Sequence, residues 1–131
     1  MATSSAKILI LDDEPEIREI VCELLEEEFL GIVQCENVTG AFKELEGQSF
    51  DLIISDIMMP EMSGLDFLKE LRIKKVEIPV VFISGTNDMK MLESALALGA
   101  ADFIEKPFQQ ADLLAIVRKQ AQIGMLINKK S

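Results

Sequence analysis

Five polar residues in this sequence have the types and the spacing that metal or phosphate chemistry requires. All of them lie at or next to the end of a mainly apolar run, the pattern of a buried strand. Carboxylate oxygens are the ligands that Mg²⁺ prefers, and an ammonium or a hydroxyl group binds anionic groups. The five residues are Asp12, Asp13, Asp56, Ser84 and Lys106.

Apolar runs and helical periodicity predict the elements that position these residues. The predicted strands are 7–11, 32–36, 52–55, 79–84 and 101–105, and the predicted helices run from Pro15 to the Gly31 region and over 39–46, 64–72, 88–98 and 110–122. Pro15 suits a first helical turn, and Asn87 suits the cap of the fourth helix. We expect residues 1–6 to be frayed, and 123–131 to extend the last helix or to be the stub of a longer parent chain.

Five strand–helix units, with strands apolar on both faces, predict an α/β fold with a parallel sheet covered on both sides. The carboxyl ends of parallel strands share one edge, so the five polar residues should meet there. Three clustered carboxylates repel each other by roughly 4 kcal/mol per pair at 4 Å and an effective dielectric of about 20. Lys106 or a bound Mg²⁺ would offset that repulsion.

Each of these residues also has a plain structural explanation. The acids suit a helix N-terminus, where they favour the helix dipole. Ser84 could be a strand-end hydroxyl and Lys106 a surface lysine. All of these explanations holding at once, at the ends of the right strands, is improbable, so the pattern favours a functional site.

Composition narrows the class of protein. The chain has 131 residues, 49% hydrophobic and 27% charged, which suits one domain with one core. Its net charge of −10 argues against binding nucleic acid or an anionic membrane. Cys22 and Cys35 form no CxxC motif and are expected to be reduced core thiols in a cytoplasmic protein.

Four blocks of the chain together resemble the receiver domain of two-component response regulators. They are LDDEP, DLIISDIMMPEMSG, PVVFISG and GAADFIEKPF. The resemblance covers about residues 7–122 and implies one receiver domain over 1–131. It implies a flavodoxin-like three-layer sandwich with five parallel strands in the order 2-1-3-4-5 and five helices.

The resemblance implies a role for each site residue. Asp56 would accept a phosphoryl group from the phosphohistidine of a histidine kinase or phosphotransfer protein. Asp13 and Asp56, with the Met58 backbone carbonyl, would hold Mg²⁺, and Asp12 would act partly through water. Such a domain is a signalling switch and catalyses only its own phosphorylation and dephosphorylation.

The remaining positions would bind the phosphoryl group or respond to it. Lys106 and Ser84 would contact phosphoryl oxygens, and the backbone at Met58 and Gly85 would lie close to them. Phe103 occupies the aromatic switch position, and it lacks the hydroxyl of the common Tyr. The Lys106–Pro107 bond is often cis in the family, although only about 5–6% of X–Pro bonds are cis in general.

The family transmits its signal through the fourth helix, fifth strand and fifth helix. The partner would be a downstream protein or a fused output domain. Some members form homodimers through this face by charge pairs, for which Asp102 and Arg118 are suitable residues.

The sequence argues against three other classes of protein. Haloacid-dehalogenase-like phosphatases need an Asp two residues after the nucleophile, but Met58 occupies that position here. A nucleotide- or flavin-binding module would carry a Gly- or Ser/Thr-rich first loop, where this chain has acids. A degenerate receiver would lack part of the acceptor, acid, hydroxyl and lysine set, which is complete here.

Overall fold

Strands and helices alternate five times along the chain. The structure, a computed structural model, describes residues 4–85 and 88–130. The elements are β1 (Ser4–Leu11), α1 (Pro15–Glu26), β2 (Phe29–Cys35), α2 (Val38–Gly47), β3 (Leu52–Asp56), α3 (Gly64–Ile73), β4 (Val80–Ser84), α4 (Met89–Ala97), β5 (Asp102–Glu105) and α5 (Gln110–Lys130). None of the described helices combines the length and apolar composition that crossing a bilayer requires.

All five strands lie in one parallel sheet with the order β2-β1-β3-β4-β5. The predicted fold class and strand order are therefore confirmed. The order reverses between β1 and β3, and the loops that follow these two strands open on the same crevice.

Two apolar clusters, one on each face of the sheet, hold the layers together. On one face, buried residues of α2, α3 and α4 pack against alternate strand positions such as Ile53 and Phe82. On the other, residues of α1 and α5 pack against Ile54 and Ile83. Because both faces are covered, β3 and β4 are buried at every residue, which explains why they are apolar up to the polar residues at their carboxyl ends.

The start of the chain differs from the prediction. Residues 4–6 are not frayed, because Ser4 pairs with Phe29 and its N–H donates to the Glu28 carbonyl at 2.9 Å. Residues 1–3 lie outside the described part. Helix α1 ends at Glu26 and does not reach the Gly31 region. Phe29 is buried in the core, and Gly31 belongs to β2, where it pairs with Lys7 of β1.

The N-cap of α4 also differs from the prediction. Asn87, the predicted cap, lies outside the described residues. Asp88, which was predicted to be the first residue of the helix, is the N-cap, and the helix begins at Met89. The Asp88 carboxylate accepts the N–H groups of Lys90 and Met91 at 3.1 and 3.3 Å. An Asp is among the strongest N-cap residues, because its side-chain oxygen reaches the unpaired amides of the first turn.

Helix α5 runs to Lys130, eight residues beyond its predicted end near Gln122. The last two turns cross the start of β3, where Gly124 lies so close to Asp51 that a Cβ would overlap the Asp51 carbonyl oxygen. Asn128 then donates its amide to the Phe50 carbonyl at 2.9 Å and to the Asp51 carboxylate at 2.7 Å. Residues 123–130 are therefore a docked extension of the helix.

Candidate functional site

Asp56 is the last residue of β3 and lies at the carboxyl edge of the sheet. Its side chain is almost fully buried, with a relative exposure of 5% for the residue. One carboxylate oxygen, Oδ1, accepts the Met58 N–H at 3.1 Å. The Ser55 hydroxyl donates to the Asp56 carbonyl at 2.9 Å, which helps to hold the backbone at this point.

The loop after β3 is packed tightly against the neighbouring strand. The Ile57 N–H donates to the Ile83 carbonyl, and the Gly64 N–H donates to the Ile57 carbonyl at 2.7 Å. A Cβ on Gly64 would lie 2.7 Å from the Phe82 ring and 2.9 Å from the Ile57 Cα. Only glycine fits this contact, so the loop that follows Asp56 has a defined path.

The loop between β1 and α1 brings three further carboxylates to Asp56. One carboxylate oxygen from each of Asp12, Asp13, Glu14 and Asp56 lies within 4.8 Å of the others. Asp12 Oδ1 accepts the Glu14 N–H at 2.9 Å, and Arg18 donates to the Asp12 carbonyl at 2.7 Å. These two bonds fix the loop at the start of α1.

Lys106 supplies the positive charge. Its ammonium lies 3.7 Å from an Asp56 oxygen and 3.7 Å from a Glu14 oxygen. The Lys106 N–H donates to the Ser84 carbonyl at 2.8 Å, which ties the end of β5 to the end of β4. The Lys106–Pro107 peptide bond is cis. Sequence alone does not determine this isomer.

Burial dominates the electrostatics of the site. Desolvation raises the pKa of Asp12 to about 6, although the Glu14 N–H and the Lys106 charge act against it. Desolvation also raises the pKa of Asp56, against the Met58 N–H and Lys106. Both carboxylates are therefore poorly compensated by the protein alone and would be stabilised by further positive charge.

The donor set fits a hard divalent cation. Asp12 belongs to the four-carboxylate cluster, and its Oδ2 is buried without a hydrogen-bond partner within the described part of the chain. An unpaired buried carboxylate oxygen costs free energy that a cation would recover. Mg²⁺ is bound in proteins by one or two carboxylates together with water and phosphate oxygens, and this crevice offers such ligands.

The predicted switch residues lie on neighbouring strands and on one face. Ser84 is fully buried at the end of β4, and Phe103 is half-buried in β5 against the cluster that contains Phe82. In the register of the two strands Phe82 pairs with Phe103 and Ser84 with Glu105. Ser84 therefore lies on the same face of the sheet as Phe103, two residues beyond Phe82, the residue that pairs with Phe103.

The structure brings the predicted site residues together at the carboxyl edge. Met58 follows β3 and is 55% exposed, and a Cβ on Gly85 would meet only Lys106 Cδ, at 3.8 Å. Glu14 is the residue of the cluster that the sequence reasoning left without a role. Its position directly after the acid pair at the end of β1 would have been enough to make it a candidate member of the site.

In open parallel α/β sheets, ligands bind in the crevice at the switch point, and here that crevice carries the acidic cluster and Lys106. A family model described as the response regulator receiver domain matches residues 8–118. The chain belongs to this family, as its motifs predicted, and is a receiver domain of the two-component type.

Two relatives show the extent of the similarity. The transcriptional regulatory protein FixJ of Bradyrhizobium diazoefficiens is 30% identical over 115 residues, which are 88% of this chain and 56% of FixJ. The response regulator protein TodT of Pseudomonas putida is 35% identical over 125 residues, 95% of this chain and 55% of TodT. The chain thus spans little more than half the length of these relatives.

Solved structures show the same fold. The chemotaxis response regulator CheY4 of Vibrio cholerae has a TM-score of 0.81 at 27% identity, over 88% of this chain and 98% of that chain. NtrX of Brucella abortus, in complex with ADP, has a TM-score of 0.86 at 30% identity, over 96% of this chain and 29% of that chain.

Proposed function

We propose that this domain is a phosphoacceptor switch in which Asp56 receives a phosphoryl group from a phosphohistidine. A phosphorus–oxygen bond forms to the Asp56 carboxylate, while the phosphorus–nitrogen bond breaks and its electron pair leaves with the imidazole. The observation that carries the proposal is a buried strand-end carboxylate 3.7 Å from the Lys106 ammonium and within a four-carboxylate cluster. The given sequence contains no His, so the phosphohistidine lies outside it.

The residues around Asp56 supply position and charge, which phosphoryl transfer needs more than a base. Asp13 and Asp56, with the Met58 carbonyl, would hold Mg²⁺, and Asp12 would orient its water. Bound Mg²⁺ would offset the negative charge that accumulates on the phosphoryl oxygens. Lys106 would bind one of these oxygens.

Ser84 and Phe103 would convert the phosphoryl group into a change of surface. The Ser84 hydroxyl would donate to a phosphoryl oxygen, Gly85 would present backbone to it, and Phe103 would move inward into the space behind Ser84. The surface formed by α4, β5 and α5 would then change for a downstream protein or a fused output domain. Such a domain would act as a cytoplasmic switch that catalyses only its own phosphorylation and dephosphorylation.

A homodimer through that surface is a further part of the proposal. Arg118, a candidate for its charge pairs, donates two hydrogen bonds to Glu28 within the chain, at 2.7 and 2.6 Å. A dimer that used Arg118 would have to exchange this pair for one with Asp102 of a second copy. The internal pair therefore opposes the use of Arg118 in a dimer.

The phosphoacceptor is tested by intact mass after incubation with acetyl phosphate and Mg²⁺. The native chain should gain one phosphoryl group, and Asp56→Asn should gain none, because an amide oxygen is a poor nucleophile. Asp51→Asn is a matched control, since it removes a carboxylate at the opposite end of β3 and should leave the gain intact. A native chain that stays unmodified would support the degenerate-receiver alternative.

A further inference from the structure

Lys106 is shared between two carboxylates that differ in their surroundings. Its ammonium lies 3.7 Å from an oxygen of Glu14 and 3.7 Å from an oxygen of Asp56. The Asp56 side chain is 7% exposed, and the Glu14 side chain is 59% exposed at the mouth of the crevice. Both distances exceed the roughly 2.7–2.9 Å of a charge-assisted hydrogen bond, so the ammonium is not committed to either partner.

The backbone fixes where the Glu14 side chain begins. Glu14 is the N-cap residue of α1, with extended backbone angles, and its N–H donates to Asp12 Oδ1 at 2.9 Å. Pro15 follows and restricts the conformation of Glu14 further. The carboxylate is thus anchored beside Lys106 by the same loop that carries Asp12 and Asp13.

A phosphoryl group on Asp56 would change the balance around the ammonium. The added group carries nearly two negative charges, so it would attract Lys106 more strongly than the Asp56 carboxylate does. Glu14 would compete for the same ammonium. An ammonium drawn towards the phosphoryl oxygen would move away from Glu14, and the contact between Glu14 and Lys106 would weaken.

We propose that Glu14 is a positioning residue for Lys106: it holds the ammonium at the mouth of the crevice and opposes its transfer to the phosphoryl group. The inference rests on the proposed function, because it concerns the binding of that group. Glu14 acts through Lys106 and need not touch the phosphoryl group.

Beryllofluoride, which stands in for the phosphoryl group, tests this role. Its affinity is measured from amide chemical shifts at saturating Mg²⁺, so that a change in metal affinity does not contribute. Glu14→Gln should bind beryllofluoride about 1.5- to 5-fold more tightly, the range expected for loss of an exposed ion pair. Glu16→Gln is the matched control: it loses the same charge in the first turn of α1, and Glu16 forms no ion pair with Lys106 in the described part of the chain.

Glu14→Asp separates the contact with Lys106 from the charge. The shorter side chain keeps the negative charge near the crevice but withdraws it from the ammonium. If Glu14 acts through Lys106, Glu14→Asp should bind beryllofluoride more tightly than the native chain, as Glu14→Gln does. If Glu14→Asp binds beryllofluoride with the affinity of the native chain, then Glu14 acts only by repelling the bound anion, and the inference is wrong.

The remaining outcomes distinguish this inference from the proposed function. If the native chain binds beryllofluoride and Glu14→Gln matches Glu16→Gln, the positioning role is wrong and the phosphoacceptor proposal stands. If the native chain binds none at saturating Mg²⁺, the proposed function fails and this inference fails with it.

Discussion

At the scale of single residues, Asp12 carries a charge that the protein compensates poorly. It is 2% exposed, one of its oxygens has no partner in the described part of the chain, and burial raises its pKa from 3.8 to about 6. The ionised carboxylate therefore destabilises the metal-free fold. A shift of this size corresponds to about 3 kcal/mol at most, as an order of magnitude.

This shift predicts how stability depends on pH in the absence of metal. Folded Asp12 keeps its proton at pH values where the unfolded chain has lost it, so the free energy of unfolding should fall as pH rises from about 4 to above 6. Asp56, whose pKa is also raised, acts in the same direction. Denaturant unfolding in chelator, measured at several pH values, should show this fall.

Two comparisons assign the effect to the site. Asp12→Asn should flatten the pH dependence, whereas Glu23→Gln, which removes an exposed acid from α1, should leave it unchanged. Saturating Mg²⁺ should also flatten it, since a cation favours the ionised form. A pH dependence that Asp12→Asn leaves intact would show that the slope arises elsewhere.

At the scale of elements, β4 and β5 would connect the crevice to the surface in the proposed switch. Inward movement of Phe103 would bury the part of its ring that is now exposed. This burial is worth about 1 kcal/mol, below the 1.5–3 kcal/mol of complete burial. A gain of this size biases two nearly balanced conformations without locking one.

Ser84→Ala should therefore keep phosphorylation and lose the conformational response. Beryllofluoride with Mg²⁺ should shift the amide signals of Phe103 and α4 strongly in the native chain and weakly in the variant. Ser49→Ala, which removes an exposed hydroxyl before the start of β3 at the opposite edge of the sheet, should retain the large shifts. Equal responses in native chain and Ser84→Ala would mean that Ser84 does not couple the crevice to this surface.

The last two turns of α5 depend on one glycine. Gly124→Ala would drive a methyl group into the Asp51 carbonyl, so the extension should detach and release the bonds of Asn128. We expect a loss of about 1–3 kcal/mol in the free energy of unfolding, typical of overpacking. Amide hydrogen exchange over 125–130 should accelerate at the same time.

Gly47→Ala provides the comparison, because a Cβ there meets nothing within 4 Å. A glycine in a helix costs roughly 0.5–1 kcal/mol relative to alanine, so this variant should be neutral or slightly more stable. If Gly124→Ala were as stable as Gly47→Ala, the close contact between α5 and Asp51 would not exist in solution.

At the scale of the whole molecule, a cation should link the crevice to global stability. A ligand that binds only the folded state stabilises it by about 2.7 kcal/mol at one hundred times its dissociation constant. The native chain should melt at a higher temperature in Mg²⁺ than in chelator, because four carboxylates lie within 4.8 Å of one another.

Asp13→Ala should remove most of this difference between the two buffers. Glu19→Ala, which removes an exposed acid of α1 away from the cluster, should retain it. Identical melting curves for the native chain in Mg²⁺ and in chelator would contradict the metal site.

The sequence by itself determined the order of the elements, the parallel sheet and the edge on which the polar residues meet. Buried parallel strands such as β3 and β4 are apolar at almost every position. This pattern is visible in the sequence even when the strands that pair with them are unknown. The strand-end positions of Asp12, Asp56 and Lys106 follow from it directly. The motifs then identified the family.

Only the tertiary structure decided the features that depend on contacts between distant segments. Helix α5 reaches Lys130 because Gly124 and Asn128 meet Asp51, more than 70 residues away in sequence. Glu14 shares Lys106 with Asp56 because β1, β3 and β5 end at one crevice. Local periodicity contains no information on such distances, since they are set when the sheet and its two helical layers pack together.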